Sequence, residues 1–321
     1  MRKSIIKGSG SYLPEKILTN DDLSKIVDTS DEWIVKRTGI KQRHIAKENE
    51  TTSDLALKAS QQAITNAGID KNDIDLIIVA TTTPDLTFPS TATILQEKLG
   101  ITNNCPAFDL QAVCSGFVFA IATADNYIKS GMYSNVLVIG AETMSKIVNW
   151  EDRGTCVLFG DGAGAVVLSA STQDDGQGIL SSHLHSDGQY TKSLKTNGGA
   201  SSSEKVGKIE MAGNDIFKLA VKFIASSIED ALNYNNLESS DIDWFVPHQA
   251  NTRIINGVAK KINLNKDKIL LNIDTVGNTS AASIPIMLHQ GIESGKIKRG
   301  DLVLIESLGG GLTWGSSLIR Y

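Results

Sequence analysis

The strongest constraint on the fold is an internal repeat, because the first half of the chain resembles the second. In each half a helical stretch leads into an Asp-Ile-Asp triplet and an apolar run, at residues 73–79 and again at residues 241–246. Each half then has another helix, a strand, a turn rich in small residues and two further strands. Alternation of strands and helices is common, but the shared triplet and the matching order favour duplication. They predict a duplicated α/β unit with helices covering mixed sheets.

The repeat fixes the predicted elements of both halves. We place the first half at residues 1–172 and the second at residues 173–321. In duplicated α/β proteins the active site forms where the halves meet, at the carboxyl ends of strands. The paired helices are Asp54–Asn66 with Phe217–Leu232, and Thr91–Leu99 with Thr252–Ile262. The paired strands are Ala107–Leu110 with Ile269–Ile273, Val136–Ile139 with Leu302–Ile305, and Ala163–Leu168 with Trp314–Ile319.

Composition restricts the class of function. A chain of 321 residues with 41% hydrophobic and 21% charged residues is typical of a globular protein. A net charge of −5 argues against nucleic acid as a partner. The apolar runs have the length of strands and are too short to span a bilayer, so we expect a cytoplasmic protein. Cys105, Cys114 and Cys156 show no CxxC pairing and no metal spacing, so we expect free thiols and no metal.

Cys114 is the candidate nucleophile. It lies between a predicted strand and a helix that runs to about Lys129. A thiol at a helix N-terminus faces the positive end of the dipole, which favours the thiolate, and the nearby N–H groups can hold an oxyanion. The alternative is a small buried apolar side chain, which is what most free cysteines are.

The second half supplies two candidate partners for Cys114. His248 follows Pro247 at the end of an apolar strand, and a neutral imidazole there can donate to a reacting carbonyl. Asn278 lies in the counterpart of the Cys114 turn, so both would face one central cavity. A loop histidine bonded to the backbone and an asparagine helix cap are the structural alternatives. The glycines at 309–311 follow a strand, so a backbone N–H there could complete an oxyanion hole.

Four motifs in chain order resemble the β-ketoacyl-[acyl-carrier-protein] synthase III family. They are Ala112–Gly116, Val246–Asn251, Gly277–Ser283 and Gly309–Gly315, and the resemblance covers the whole chain. It implies a thiolase-like fold of two duplicated βαβαβαββ halves in α-β-α-β-α layers. It also implies a homodimer that uses no cofactor and that joins acetyl-CoA to malonyl-carrier protein.

The resemblance implies a role for each motif residue. Cys114 would carry the acyl group, and His248 and Asn278 would donate to the malonyl thioester oxygen. The N–H groups of Cys114 and Gly310 would form the oxyanion hole. Elongating condensing enzymes carry a second histidine in place of Asn278, so this asparagine favours the initiating class.

The resemblance also implies contacts around the triad. Those with CoA are Thr29, Trp33, Arg37, Arg153, Gly213, Ala250 and Asn251. Those with the acidic carrier protein are Lys218, Gln249, Arg253, Lys260 and Lys261. Phe88, from the other subunit, and Met144 would size the primer pocket. The alternatives are core packing for Trp33 and a solvated helix face for the basic residues.

Three rival functions remain at this point. The first is a related Cys-His-Asn acyltransferase or ketosynthase with a different primer or a CoA-bound extender. The second is a catalytically silent relative that acts as a binding partner, which would lack one of the three residues. The third is a cysteine hydrolase, in which water is the acceptor.

Overall fold

The computed structural model describes residues 2–173, 175–203 and 205–321. Its helices are α1 (Asn20–Leu23), α2 (Asp31–Thr38), α3 (Thr52–Ala67), α4 (Thr91–Leu99), α5 (Gly116–Lys129), α6 (Gly213–Tyr234), α7 (Thr252–Lys261), α8 (Ile273–Val276) and α9 (Ser283–Glu293). Its strands are β1 (Lys3–Tyr12), β2 (Lys16–Thr19), β3 (Gln42–Ile45), β4 (Leu76–Ala80), β5 (Ala107–Leu110), β6 (Asn135–Thr143), β7 (Asp161–Ser171), β8 (Gly178–Ser186), β9 (Leu194–Thr196), β10 (Ile209–Met211), β11 (Trp244–Pro247), β12 (Leu302–Gly309) and β13 (Thr313–Arg320).

Two mixed sheets form the body of the protein. The first has the order β1-β7-β6-β4-β5, and the second has the order β11-β12-β13-β8. In the first sheet β4 runs parallel to β5 and β6, and in the second β11 runs parallel to β12. The strands of the first sheet lie within residues 3–171, and those of the second lie within residues 178–320.

The Asp-Ile-Asp triplets occupy equivalent places in the two halves. The Asp75 N–H donates to Asn135 O at 2.8 Å, and its carboxylate accepts the Asn135 N–H at the start of β6. The Asp243 N–H likewise donates to Leu302 O at 2.9 Å, and its carboxylate accepts the Leu302 N–H at the start of β12. The repeat seen in the sequence is therefore a structural repeat.

The layers follow from the apolar faces of the helices. Helices α5 and α9 lie between the sheets, where Phe117 and Leu288 pack with Val138 of the first sheet and Ile305 of the second. Helices α3 and α4 cover the outer face of the first sheet, and α6 and α7 cover the outer face of the second. The α-β-α-β-α thiolase-like architecture expected from the sequence is confirmed.

One predicted strand was wrong. Residues 269–273 contribute only an isolated bridge between Ile269 and Phe245, and α8 then begins at Ile273. The Gln249 side chain takes over part of the hydrogen bonding that a strand would provide. Its Nε2 donates to Leu270 O at 3.2 Å, and its Oε1 accepts the Asn272 N–H at 3.2 Å. A glutamine amide therefore replaces backbone pairing at this edge of the sheet.

Candidate active site

A cavity of about 450 Å³ lies where the two halves meet. Cys114, His248 and Asn278 all line it, together with Gly310. Each of the three side chains is nearly inaccessible, with 5% of its surface exposed. The three residues chosen from separate segments of the sequence thus share one buried cavity.

The turn before α5 presents Cys114 in a strained backbone conformation. Val113 has φ of +50°, a left-handed conformation that costs a β-branched residue about 1–3 kcal/mol. The second half holds the turn in place, because Thr313 Oγ1 donates to Ala112 O at 3.0 Å and Ser115 Oγ donates to Thr313 Oγ1 at 2.8 Å. Strain kept by contacts across the halves indicates a functional turn.

The repeat of this turn is centred on Ser280, not on Asn278. Ser280 has φ of +51° and begins a short helical turn that leads into α9, as Val113 begins the turn that leads into α5. Ala281 is therefore the residue equivalent to Cys114. Asn278 precedes this turn by two residues and lines the same cavity as Cys114, whereas Ser280–Ala282 do not line it.

Cys114 does not have the low pKa that its helix terminus suggested. Burial raises the pKa of the thiol to about 12, and the charge of Glu142 also raises it, while a hydrogen bond with Ser280 lowers it. Desolvation therefore outweighs the favourable helix end. At neutral pH the thiol keeps its proton until it reacts.

His248 is neutral throughout the physiological range. Burial lowers the pKa of its imidazole to about 3. The backbone N–H of His248 donates to the backbone carbonyl of Glu306 at 2.9 Å, which fixes the chain at the end of β11. Its Nδ1 is buried and has no hydrogen-bond partner among the described residues. A neutral imidazole can donate a hydrogen bond without adding charge to the cavity.

Asn278 is held by a segment of the first half. Its N–H donates to Leu158 O at 3.0 Å, and its carbonyl accepts the Gly160 N–H at 2.9 Å. The side-chain Oδ1 accepts the Ser280 N–H at 2.9 Å, which leaves the NH₂ group as the donor toward the cavity. The Gly-rich segment 159–164 thus helps to position Asn278.

Glu142 was not singled out in the sequence, although it braces the site. It is buried, and it accepts hydrogen bonds from the N–H groups of Thr82 and Thr83 and from the Thr83 hydroxyl at 2.6 Å. Ser280 Oγ donates to it at 3.0 Å. The carboxylate therefore joins the loop after β4 to the turn before α9. An acidic residue directly after the apolar β6 run was the available signal.

The expected CoA contacts fall into two groups. Gly213, Ala250 and Asn251 line the catalytic cavity, and Asn251 also caps α7 by accepting the Arg253 N–H. Trp33 and Arg37 line an adjoining cavity together with Lys36 and Arg253. The guanidinium groups of Arg37 and Arg153 lie 4.5 Å and 4.9 Å from the centre of the Trp33 ring. Thr29 precedes α2 and lines neither cavity.

The expected carrier-protein contacts are four exposed cations and one buried amide. Lys218 and Arg253 are exposed at the cavity mouth, and Lys260 and Lys261 are exposed at the end of α7. Gln249 is different, because 1% of it is exposed and its amide bonds Pro247 O and Leu270 O. Our assignment of Gln249 to a docking surface was therefore wrong. Its side chain serves the fold.

The two expected primer-pocket residues lie in different environments. Met144 is buried and lines the cavity. Phe88 lies in the loop between β4 and α4, where 83% of it is exposed, and it does not line the cavity of its own chain.

Two kinds of feature are absent from the described residues. None of the helices there is long and apolar enough to cross a membrane. The same residues hold no group of three or more His, Cys, Asp or Glu side chains arranged to bind a metal ion.

Comparison with known proteins identifies the family. Residues 108–188 match the family model described as 3-oxoacyl-[acyl-carrier-protein] synthase III, and residues 232–321 match its C-terminal model. The chain is 58% identical to a β-ketoacyl-[acyl-carrier-protein] synthase III of Ehrlichia canis, with 100% of both chains covered. It is 55% identical to that of Bradyrhizobium diazoefficiens, with 99% of both chains covered.

A solved structure of the same family has the same fold. The 3-oxoacyl-[acyl-carrier-protein] synthase III of Aquifex aeolicus aligns with a TM-score of 0.94 at 48% identity, covering 99% of this chain and 100% of the other. The chain belongs to the 3-oxoacyl-[acyl-carrier-protein] synthase III family, and it is therefore an acyltransferase.

Proposed function

We propose that this chain condenses a short acyl-CoA primer with malonyl-[acyl-carrier-protein] through an acyl-Cys114 intermediate. Acetyl-CoA would give acetoacetyl-carrier protein, CoA and carbon dioxide, the first step of type II fatty acid synthesis. The observation that carries the proposal is the meeting of Cys114, His248 and Asn278, from both halves, in one buried cavity.

In the first half-reaction the Cys114 sulfur attacks the primer thioester. The carbonyl oxygen becomes an oxyanion, which the N–H groups of Cys114 and Gly310 would hold. The bond to the CoA sulfur then breaks, and the thiol proton leaves with CoA. Burial raises the pKa of the thiol to about 12, which favours loss of the proton during the attack and not before it.

In the second half-reaction the malonyl group loses carbon dioxide. The electron pair moves onto the thioester oxygen as an enolate, which hydrogen bonds from His248 Nε2 and the Asn278 amide would stabilise. The enolate carbon then attacks the acyl carbon and displaces the Cys114 thiolate, which takes a proton from solvent to restore the thiol. Two uncharged donors suit this step, because decarboxylation needs stabilisation of the oxygen and not a strong base.

The surroundings of the cavity support the choice of substrates. Trp33, with two guanidinium groups close to its ring, is suited to stacking on a purine beside its phosphates. Lys218, Arg253, Lys260 and Lys261 would form a local basic surface for an acidic carrier protein, which the net charge of −5 does not oppose. We propose these contacts as part of the function, together with a cytoplasmic location and a reaction that needs no cofactor.

We further propose that the active enzyme is a homodimer. Phe88 and Leu86 expose 83% and 54% of their surfaces on one loop, which is unusual for large apolar side chains. A partner subunit would bury this loop. Phe88 of one subunit would then reach the primer pocket of the other subunit, beside the Met144 of that pocket.

The choice of extender tests the proposed function against its main rival. We expect product from acetyl-CoA and malonyl-carrier protein and none above background when malonyl-CoA replaces the carrier-bound extender. The reason is that the basic surface contacts the protein part of the carrier. Equal rates with the two extenders would instead favour a ketosynthase that uses a CoA-bound extender. Release of acetate alone would favour a hydrolase.

A further inference from the structure

Glu306 is a buried carboxyl group in the catalytic cavity that the proposed mechanism does not use. It lies on β12 with 2% of its surface exposed, and it lines the same cavity as Cys114 and His248. Its Oε2 is buried and has no hydrogen-bond partner among the described residues. Of those residues, it is the only one with a carboxyl group that lines the cavity. A buried carboxyl without a partner costs stability, so it calls for a functional explanation.

The repeat shows that the fold does not require a carboxyl at this position. Glu306 pairs with Pro247, which is the fourth residue after Asp243, the second Asp of the Asp-Ile-Asp triplet in this half. In the first half the fourth residue after Asp75 is Val79, and it pairs with Ile139. Ile139 is fully buried and apolar. An isoleucine therefore satisfies the fold at the equivalent position. The glutamate must have another role, one that is particular to the second half.

Glu306 is adjacent to a second buried atom that lacks a partner. The backbone carbonyl of Glu306 accepts the backbone N–H of His248 at 2.9 Å, so the two residues are neighbours across the β11–β12 pair. Both His248 Nδ1 and Glu306 Oε2 are buried without a partner among the described residues. In a neutral imidazole one nitrogen is a donor and the other an acceptor, and the partner of one nitrogen decides the state of the other.

We propose that Glu306 is a positioning residue that fixes the tautomer of His248 through one buried water. The carboxyl O–H donates to the water, and the water donates to Nδ1. Nδ1 is then the acceptor, and the proton remains on Nε2, where it faces the substrate oxygen. This inference rests on the proposed function, because it explains how His248 can act as a donor to the enolate.

The protonation state of Glu306 fits this role. Burial raises the pKa of its carboxyl to about 8, which favours the protonated form at neutral pH. Above that pH the carboxylate can only accept, and its negative charge favours the reversed chain, in which Nδ1 donates to the water and the water donates to the carboxylate. Nδ1 then carries the proton, and Nε2 can no longer donate to the thioester oxygen. The condensation rate should therefore fall as the pH rises through about 8.

Other groups near Glu306 do not provide the same switch. On β13 the opposite residue is Ser316, whose hydroxyl bonds Ser227 of α6. The remaining ionisable side chains that face the cavity among the described residues are the thiol, the imidazole and cations from β9, α6 and α7, namely Cys114, His248, Lys195, Lys218 and Arg253.

Two variants separate the donor role of Glu306 from its ionisation. Glu306→Gln keeps a donor of the same shape but cannot ionise, so we expect condensation at neutral pH to be retained and the alkaline fall to disappear. Glu306→Leu removes the donor, so we expect condensation to fall about 10- to 100-fold, the range found for orienting partners of histidines in metal sites. Acylation of Cys114 should be unchanged in both variants.

The tautomer can be measured without turnover. Nitrogen NMR of the imidazoles in the full-length protein should show His248 protonated on Nε2 in wild type and Glu306→Gln, and a mixture of tautomers in Glu306→Leu. An alkaline fall that persists in Glu306→Gln, or an unchanged tautomer and rate in Glu306→Leu, would overturn the proposal. If Glu306→Leu does not fold, the pH profile and tautomer of Glu306→Gln decide. Wild-type protein that forms no acyl-Cys114 would instead refute the proposed function.

Discussion

His248→Ala should still form acyl-Cys114 from acetyl-CoA but should lose condensation by about 100- to 1000-fold, the cost of removing one preorganised oxyanion donor. The physical reason is that His248 contributes a hydrogen bond to the enolate oxygen, which exists only in the second half-reaction. Mass spectrometry of the acylated protein and release of labelled carbon dioxide from malonyl-carrier protein measure the two steps separately.

A matched control is His44→Ala. His44 Nδ1 bonds Pro14 O at 2.6 Å, and the residue lies outside the catalytic cavity, so this variant should retain both steps. Because the pKa of His248 is held near 3, lowering the pH from 8 to about 5 should not convert it to imidazolium. If His248→Ala decarboxylates malonyl-carrier protein at the wild-type rate, the role assigned to His248 is wrong.

Gly309→Ala should damage both stability and acylation, because Gly309 packs against the nucleophile turn. A Cβ atom there would lie 2.7 Å from Cys114 N and 2.8 Å from Ala112 O, and these backbone atoms cannot move aside without displacing Cys114. Overpacking of this kind costs about 1–3 kcal/mol. A shift of about 1 Å at the nucleophile lowers the rate about 100-fold. Thermal unfolding and the rate of Cys114 acylation measure the two effects.

Gly188→Ala is the control for this substitution. No atom lies within 4 Å of a Cβ built at Gly188, so we expect wild-type melting and acylation. Wild-type acylation by Gly309→Ala would contradict the close packing of β12 on the Cys114 turn.

Local rules predicted the elements that have strong end signals. Helix α4 was predicted to the residue because the Ser90 hydroxyl accepts the Thr93 N–H at its start and Gly100, with φ of +64°, ends it. The strand predicted at residues 269–273 failed because a side chain distant in sequence, Gln249, bonds the backbone there. No window of the local sequence contains that contact.

The sequence predicted that three candidate residues lie together, but it did not predict the electrostatics around them. The repeat and the motifs brought Cys114, His248 and Asn278 together, and the structure confirms that they share a cavity. The helix-end argument gave the wrong direction for the pKa of Cys114, because burial is decided by tertiary packing. Glu306 carried no signal in the sequence, because its importance depends on a cavity and a strand pairing that the sequence does not show.

Retention of the primer on Cys114 tests the central claim most directly. Protein incubated with radiolabelled acetyl-CoA should carry label that survives removal of excess CoA ester, and Cys114→Ala should carry none. The label should then leave as acetoacetyl-carrier protein when malonyl-carrier protein is added. Unlabelled wild-type protein, or rapid loss of the label as free acetate before the extender is added, would contradict the account.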